Sequence, residues 1–366
     1  MGLSYEQLNP TETVRSILMD PTPALRDGFA WPQMFGADKV IDVGPRPNTP
    51  GLLSGTIDVR DPRNFTGAAA GQALYQGVGS PRETVTRFPD SGRNFSIKQV
   101  SGQAEELIKR LANAKDPELE MSYFMQAQHA CWVKLERWCA DFFLSKAGDT
   151  FAQTGFSVPG WSTLDWTGSG YTALGSAAYD TIGSLHAALE TLTLAADGQS
   201  FDVAYIDRTG FAKLQRDHSI LGRYITSIAT ANGSAVAVAG NQNFVLPGDG
   251  VKAVFREFLG LDLRVGKVVM TNQREDTTAS QAYIGRTGRM WVGRGGNLGV
   301  AAQGTTQPVV HQMNSAYAMV RNGMPETDSG PTELVGAQRW RCTVDHFVDL
   351  LALKTTHGCT IYNLWS

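Results

Sequence analysis

Metal ligands and nucleophiles are scattered along this chain rather than grouped at the spacing of a site. No Cys-x-x-Cys pair occurs, and no histidine has a carboxylate or a cysteine at metal-ligand spacing in its local sequence. The pattern predicts no metal site, ordinary surface or boundary histidines, and cysteines that are buried free thiols in a reducing compartment. The residues concerned are His129, His186, His218, His311, His346, His357, Cys131, Cys139, Cys342 and Cys359.

Catalytic motifs that can be recognised by local spacing, such as G-x-S-x-G, H-E-x-x-H and the P-loop, do not occur in the sequence. Gly293, Gly295 and Gly299 come nearest to a dinucleotide fingerprint, but the last glycine is one position late, so we interpret them as a tight turn. Glu105 and Glu106 are adjacent, which favours two solvated side chains pointing in different directions. We predict that the chain is not an enzyme and binds no cofactor, although residues distant in sequence could still assemble a site.

Composition and charge exclude several other classes of protein. The chain has 366 residues, 42% of them hydrophobic, which is enough for two or three lobes with a sizeable core. The formal net charge of −3 indicates no surface built to neutralise phosphates, so sequence-specific nucleic-acid binding is not expected. Residues 1–16 lack an apolar signal region, and no run of about eighteen apolar residues follows, so neither secretion nor membrane insertion is predicted.

Residues 44–97 are rich in glycine, proline and arginine and run into the longest helical pattern of the chain. Residues 53–60 and 84–88 alternate like strands, and a glycine-rich middle, 67–79, separates them. Two legs of about fifteen residues would reach roughly 50 Å. Because a lone two-stranded ribbon is marginally stable, we interpret the segment as an arm that lies on other copies of the protein. A long active-site lid or a linker would fit the same local pattern.

The longest helical pattern covers residues 118–146, after Asp116 and Pro117, and Gly148 follows it. Its apolar residues recur at helical spacing, which predicts one buried face on a helix about 40 Å long. A shorter helical pattern is read at residues 102–114. The apolar stripe of the long helix is Phe124, Cys131, Leu135, Trp138 and Phe142.

A second lobe of mixed α and β structure is predicted between residues 178 and 325. The polar segment 325–331 is interpreted as a crossing loop, and residues 338–347 and 349–354 as strands that return the chain to the first lobe. A lobe inserted between two parts of another is the simplest account. Within the second lobe we predict helices around 182–192, 210–215 and 251–258, and strands at 201–206, 263–270, 282–284, 290–292 and 316–320.

This order of parts resembles the major capsid proteins of tailed bacteriophages, closest locally to the lambda-like capsid family, whose fold is shared with encapsulin shells. The residues that carry the resemblance are the long helix 118–146, the strand and short helix of 202–219, and the stretch 258–272. It implies an α+β tailed-phage capsid fold. The implied parts are an N-terminal arm (1–43), an extended loop (44–97), a peripheral domain (98–177) with the spine helix, an axial domain (178–325) and returning peripheral strands (326–366).

What the resemblance implies is a structural protein that self-assembles as hexamers and pentamers into an icosahedral shell around double-stranded DNA. Further implied partners are portal and scaffold proteins and, where one exists, a decoration protein; no membrane is involved. The protein would be found in the virion and be assembled in the host cytoplasm. An encapsulin-like nanocompartment shell is an alternative, as is an α/β enzyme whose long lid closes on its own subunit.

One feature departs from part of that family. Some relatives lock the shell through a covalent bond between a lysine of the extended loop and an asparagine, but residues 44–97 contain no lysine. We therefore predict non-covalent locking, in which arginines of the loop make charge-assisted contacts to carboxylates of neighbouring subunits. The candidate intersubunit residues are Arg46, Arg60, Arg63, Arg82, Arg87 and Arg93.

Overall fold

The structure, a computed structural model, describes most of the chain outside the N-terminus and several connecting segments. The described residues are 24, 26–35, 40–42, 53–59, 91–107, 119–149, 158–174, 180–196, 198–224, 245–271, 281–295, 309–310, 315–320, 326–334 and 337–365.

The first sheet is organised around its longest strand, β14 (Ala337–Ala352). On one side β14 pairs antiparallel with β4 (Lys98–Leu107). On the other side, the C-terminal end of β14 pairs antiparallel with β12 (Ala316–Val320), and the preceding part of β14 pairs antiparallel with β13 (Glu326–Leu334). The short β1 (Val40–Asp42) joins this sheet parallel to β12, which brings residues from the N-terminal part of the chain beside a late strand.

The second sheet has the order β5 (Ser162–Asp165), β15 (Gly358–Tyr362), β10 (Met290–Gly293), β6 (Val203–Asp207) and β7 (Asp262–Gly266). The pairs β15–β5 and β6–β7 are parallel, and β10 is antiparallel to both of its neighbours. Every residue of β6 and β10 is buried, as expected for strands covered on both faces.

Two small ribbons complete the strands. In the first, β2 (Ser54–Val59) pairs antiparallel with β3 (Ser91–Ser96), and β11 (Val309–Val310) adds parallel to β2. In the second, β8 (Val269–Thr271) pairs antiparallel with β9 (Gln281–Tyr283).

Local sequence explains where several helices begin and end. The Asp180 and Asp207 carboxylates accept hydrogen bonds from the amides of Gly183 (3.1 Å) and Gly210 (2.7 Å), which caps two helices at their N-termini. Gly260, at φ +68°, ends a π-helical turn in the left-handed conformation that favours glycine. The helices are α1 (Trp31–Met34), α2 (Leu119–Leu144), α3 (Thr181–Ala195), α4 (Arg208–Leu214) and α5 (Gly248–Val254), which continues into the π turn Phe255–Leu259; residues 218–224 are also helical.

The long helix α2 confirms the predicted stripe, because all five of its residues are buried. The helix packs on β4 and β14 of the first sheet. Its C-terminal half reaches the second sheet, where Phe143 lies against Trp291 with ring centroids 4.5 Å apart and against Tyr205 at 6.0 Å. This contact places α2 in one apolar core with strands of both sheets. A separate core lies between the second sheet and helices α3, α4 and α5.

Two sequence-based predictions of secondary structure are wrong. Residues 102–107, read as part of a helix, belong to strand β4, where Val100, Gly102 and Ala104 are buried and alternate with more exposed residues. Residues 326–331, read as part of a loop, belong to β13, whose residue Pro331 pairs with Trp340. Among the described strands β13 lies at the edge of its sheet, where a proline without an N–H group is tolerated.

The strand pairing divides the chain at other points than the predicted boundaries. Strand β12, which precedes the boundary at residue 325, belongs to the first sheet, whereas β15, expected among the returning strands, belongs to the second. The two strands predicted at 338–354 form the single strand β14. Most helices and strands predicted within 182–320 are observed, with ends that differ by a few residues, but the strand predicted at 263–270 is two strands, β7 in the second sheet and β8 in a separate ribbon. The strand predicted at 84–88 lies outside the described residues.

Candidate assembly interface

The ribbon β2–β3 forms the base of the predicted arm. Val59 and Ser91 are cross-strand partners, so the chain leaves the ribbon after Val59 and returns to it beside the same position. On one face of the ribbon, Ile57 and Phe95 are buried at 0% and 3% exposure. At the end nearest the body of the protein, the amide of Ile97 donates to the carbonyl of Leu53 over 2.7 Å.

Two side-chain hydrogen bonds fix this ribbon to the first sheet. Arg93 Nε donates to the carbonyl of Leu353 over 2.7 Å, and the amide of Ser96 donates to Asp349 Oδ2 over 2.8 Å. Asp349 is 4% exposed; burial raises the pKa of its carboxyl, and the bond from Ser96 lowers it in part. Because Asp349 and Leu353 both lie at the C-terminal end of the β14 region, the orientation of the ribbon is set by the end of this strand.

Of the six candidate arginines, the structure describes only Arg93. It is half-buried, and its guanidinium is bonded within its own chain, at the base of the arm. The other five, Arg46, Arg60, Arg63, Arg82 and Arg87, lie outside the described residues. Their contacts with neighbouring subunits therefore stay a prediction.

A second group of charged residues, not found from the sequence, joins α2 to the turn before β10. Arg286 Nε and Nη2 both donate to Asp141 Oδ1, over 3.1 and 2.8 Å. Arg289 binds both carboxylate oxygens of Asp149, and its Nη2 donates to Oδ1 over 3.0 Å. All four side chains are at most 19% exposed. The only sequence signal was two arginines three residues apart, which says nothing about a helix more than a hundred residues earlier.

The prediction that the carboxylate of Glu105 is solvated is wrong. Glu105 lies directly opposite Arg341 across strands β4 and β14, and Arg341 Nε donates to its Oε1 over 2.9 Å. Arg339 is a second partner at 3.6 Å, and the Glu105 side chain is 17% exposed. Cross-strand pairs of opposite charge stabilise antiparallel sheets, so this glutamate contributes to the stability of the first sheet.

The predicted thiols and histidines have different outcomes. All four cysteines are buried thiols outside any disulfide, as predicted, and burial raises the pKa of the Cys131 and Cys359 thiols to about 12. His346 Nε2 lies 3.0 Å from Gln128 Oε1, and burial lowers the pKa of its imidazole to about 4. His357 is 3% exposed, so the expectation of surface or boundary histidines is wrong for this residue.

Beyond these charged groups, the described residues form a surface groove but no cluster of metal ligands. Within that part of the chain no three metal-binding side chains converge, and none of the helices has both the length and the apolar character required to cross a lipid bilayer. An open groove of about 450 Å³ lies beside α3, where Leu189, Phe201 and Leu259 are joined by Leu194, which is 80% exposed. The polar part of its lining is formed by exposed side chains of α3 and the following segment, among them His186 and Glu190, whose Nδ1 and Oε1 atoms lie 3.6 Å apart.

Comparison with known proteins found similarity only among solved structures, since no protein-family model and no curated protein matches the chain. A phage-related protein from Bordetella bronchiseptica RB50 superposes with a TM-score of 0.56 at 14% identity, over 95% of this chain and 97% of that protein. Structures titled Gordonia phage Cozz (TM-score 0.49, 10% identity, covering 92% of this chain and 86% of that one) and the capsid of Myoviridae phage XM1 (0.48, 10%, 92% of each) superpose less well.

At 14% identity, the likeness to the Bordetella protein shows the fold alone. The chain shares the mixed α/β fold of that protein along nearly its whole length, and the predicted resemblance is confirmed at the level of the fold. The two weaker superpositions add nothing to this conclusion.

Proposed function

We propose that the chain is a major capsid protein, a structural subunit that assembles as hexamers and pentamers into an icosahedral shell around double-stranded DNA. The observation that carries this proposal is the β2–β3 ribbon, which is fixed at its base to the first sheet and connected at its far end, between Val59 and Ser91, to residues 60–90. A long extension on a firmly oriented base is suited to bind a neighbouring subunit. The shared fold supports the same reading.

In this proposal the parts have separate roles. Helix α2 and the first sheet form the peripheral domain, and the second sheet with α3, α4 and α5 forms the axial domain near the local symmetry axes. The arm lies on the adjoining subunit, where Arg46, Arg60, Arg63, Arg82 and Arg87 bind carboxylates without covalent linkage. Portal and scaffold proteins are further partners, the packaged DNA is bound without sequence preference, and the mature protein resides in the virion after assembly in the host cytoplasm.

The rigidity of α2 supports this division of labour. A subunit that occupies slightly different environments in a closed shell needs a stiff centre and adaptable extensions. The buried aromatic contacts of Phe143 and the ion pairs of Arg286 and Arg289 hold α2 against both sheets at once.

Shortening the arm tests the proposal directly. Residues 60–90 are replaced by Asn-Gly, because a two-residue turn can join the paired positions Val59 and Ser91. The matched control replaces residues 272–280 by the same turn between the paired positions Thr271 and Gln281. We expect both variants to unfold at the midpoint of the parent chain, but only the arm variant to lose shells in electron micrographs and to elute as small species in size-exclusion chromatography.

Three outcomes would contradict the proposal. A parent chain that stays a monomer or small oligomer would favour the lid of an enzyme. Shells that form equally well without residues 60–90 would remove the arm from assembly. Shells purified from infected or expressing cells that contain protein cargo in place of DNA would favour a nanocompartment.

A further inference from the structure

Glu136, in the middle of α2, is a completely buried carboxylate, with 0% exposure. Its Oε2 accepts hydrogen bonds from the backbone amides of Ala30 at 2.8 Å and Trp31 at 3.0 Å. These amides stand at the start of α1, whose preceding residue supplies no side-chain cap. A side chain more than a hundred residues away therefore acts as the N-terminal cap of α1, and its hydrogen bonds connect residues 26–35 to α2.

The other carboxylate oxygen faces the second sheet. A Cβ atom placed on Gly266 of β7 would lie 2.9 Å from Glu136 Oε1 and 2.9 Å from the hydroxyl oxygen of Tyr205 on β6. Glu136 Oε1 and the hydroxyl oxygen of Tyr205 are both buried, and neither has a hydrogen-bond partner among the described residues. Glu136 thus stands where α1, α2 and two strands of the second sheet meet, with one oxygen satisfied and the other adjacent to a phenol.

The ionisable groups around Glu136 do not offset a negative charge. From α2, Cys139 is buried, and burial together with Glu136 raises its pKa well above the usual value. From β6, burial and the charge of Glu136 raise the pKa of Tyr205 in the same way, and Asp207, two residues further on, is a second acid with a pKa raised by burial. From β7, Arg264 also reaches α1, but it donates to the Gln33 carbonyl at the opposite end of the helix and pairs with Asp262.

Burial without a counter-charge raises the pKa of Glu136 to about 7, although the two amides act in the opposite direction. The pKa in the unfolded chain is lower, near the ordinary glutamate value of 4.5. The closed arrangement therefore binds the proton more tightly than the open one, so its stability is fully present below pH 4.5 and falls as the pH rises through about 7.

The segment attached to Glu136 covers much apolar surface. Phe29 is 1% exposed and lies edge-on to Trp132, with ring centroids 5.9 Å apart. Phe35 is 6% exposed and stacks on Phe143 at 5.5 Å. If the segment separated from α2, these aromatic faces would become accessible to water or to another molecule.

We propose that Glu136 is a proton-dependent latch, which holds residues 26–35 against α2 and the second sheet while its carboxyl is protonated and loosens them when it ionises. The geometry supports this role, because one side chain bridges the segment and the body of the protein and its ionised form gains no cationic partner there. The latch operates within a single subunit, so it goes beyond the proposed shell function and does not depend on it.

Hydrogen exchange of the full-length chain tests the latch. We expect the protection of backbone amides in residues 26–35, corrected for intrinsic exchange rates, to fall about tenfold per pH unit between about pH 4.5 and 7, where the open form is ionised and the closed form is protonated, and to level off above pH 7. Glu136→Gln keeps a carbonyl oxygen for the two amides and cannot ionise, so its protection should stay constant from pH 5.5 to 8.5. Glu190→Gln, at a side chain that is 71% exposed, is the matched control and should behave as the parent chain.

Specific results overturn the proposal. Protection that is flat or rises between about pH 4.5 and 7 in the parent chain contradicts it, as does the same pH dependence in Glu136→Gln. If Glu136→Gln does not fold, Tyr205→Phe carries the test: it removes the polar group on β6 that lies on the Oε1 side of the carboxylate, which makes ionisation less favourable, so the pH at which protection levels off should rise. An unchanged pH contradicts the latch. Size-exclusion chromatography of the same samples reports assembly separately, so a failed latch and a failed shell function are distinguishable.

Discussion

The guanidinium of Arg289 donates a hydrogen bond to the carbonyl of Leu144, the last residue of α2, over 3.0 Å. A cation at a helix C-terminus satisfies a carbonyl that lacks a partner within the helix and interacts favourably with the helix dipole. The same guanidinium binds Asp149 just beyond the helix. The end of α2 is therefore defined by a residue of the turn that precedes β10 of the second sheet.

Replacing Arg289 should weaken the junction between α2 and the second sheet. We expect Arg289→Ala to lower the free energy of unfolding by about 2 to 3 kcal/mol, because it removes charged hydrogen bonds from side chains that are at most 15% exposed. Arg256→Ala, at a side chain that is 73% exposed, is the control and should cost at most about 0.5 kcal/mol. Urea denaturation measures both, and equal losses would contradict the role of Arg289.

The same ion pair predicts a dependence on pH. Burial opposes ionisation of Asp149, but hydrogen bonds from Arg289 and the Lys146 amide, with the charges of Arg289 and Arg286, lower its pKa to about 2. A pKa below the unfolded value gives stability that is present above about pH 4 and is lost as the pH falls towards 2. Stability measured between pH 5 and 2.5 should fall less steeply in Arg289→Ala than in the parent chain.

Gly102 should tolerate no side chain. A Cβ atom there would lie 1.9 Å from the backbone carbonyl oxygen of Ala127 in α2, so Gly102→Ala must push the helix away from β4 and should cost about 2 to 3 kcal/mol. Gly222→Ala is the opposite case, because no atom lies within 4 Å of its added Cβ and residues 218–224 are helical. That control should stabilise the chain by about 0.5 to 1 kcal/mol, measured by urea denaturation.

Trp138 should be a determinant of subunit stability rather than of assembly. Its side chain is 1% exposed in the core between α2 and the two sheets, so Trp138→Ala should lower the free energy of unfolding by about 3 to 5 kcal/mol. Met125→Ala, on the same helix at 51% exposure, should change it by at most about 0.5 kcal/mol. A small loss in Trp138→Ala would indicate that this core repacks.

Arg93 should act within the subunit, unlike the arginines of the outer arm. Arg93→Ala removes a charged hydrogen bond to the Leu353 carbonyl and should lower the free energy of unfolding by about 1.5 kcal/mol. Under the proposed function, Arg87→Ala should leave that free energy unchanged and weaken assembled shells instead. Urea denaturation and the urea concentration that dissociates shells separate the two effects; identical profiles for the two variants would contradict this assignment.

Assembled particles should contain no covalent links that originate in the arm, because residues 44–97 hold no lysine to form an isopeptide bond. Boiled particles should therefore give a single monomer band on a denaturing gel under reducing conditions. A ladder of multimers would refute non-covalent locking.

Strongly periodic segments could be predicted from the sequence, whereas contacts between distant segments could not. The stripe of α2 extends over about five helical turns, so its period was clear, and all five residues are buried. Strand β4 was misread because its inward residues include Gly102 and Ala104, which carry little hydrophobic signal. Their small size is explained only by the close approach of α2, a tertiary contact that local sequence does not encode.

In the candidate site, too, composition could be predicted from the sequence, whereas contacts between distant segments could not. The absence of lysine and the wealth of arginine in residues 44–97 are visible in sequence, but the binding of Arg93 to Leu353 requires knowing that β3 passes beside the end of β14. Glu136 gave no signal at all, because a glutamate inside a helical pattern is ordinarily solvated. Its burial follows from a four-residue helix, α1, that no periodicity analysis could have detected.

The late strands alternate between the two sheets: β10 lies in the second, β12 to β14 in the first, and β15 in the second again. A gene fragment that encodes only residues 178–325 would leave β10 without β15 along one edge. Residues 178–325 therefore do not contain the whole second sheet, so we expect this segment not to fold by itself. Recombination between homologues should preserve the fold only when it also transfers β5 and β15.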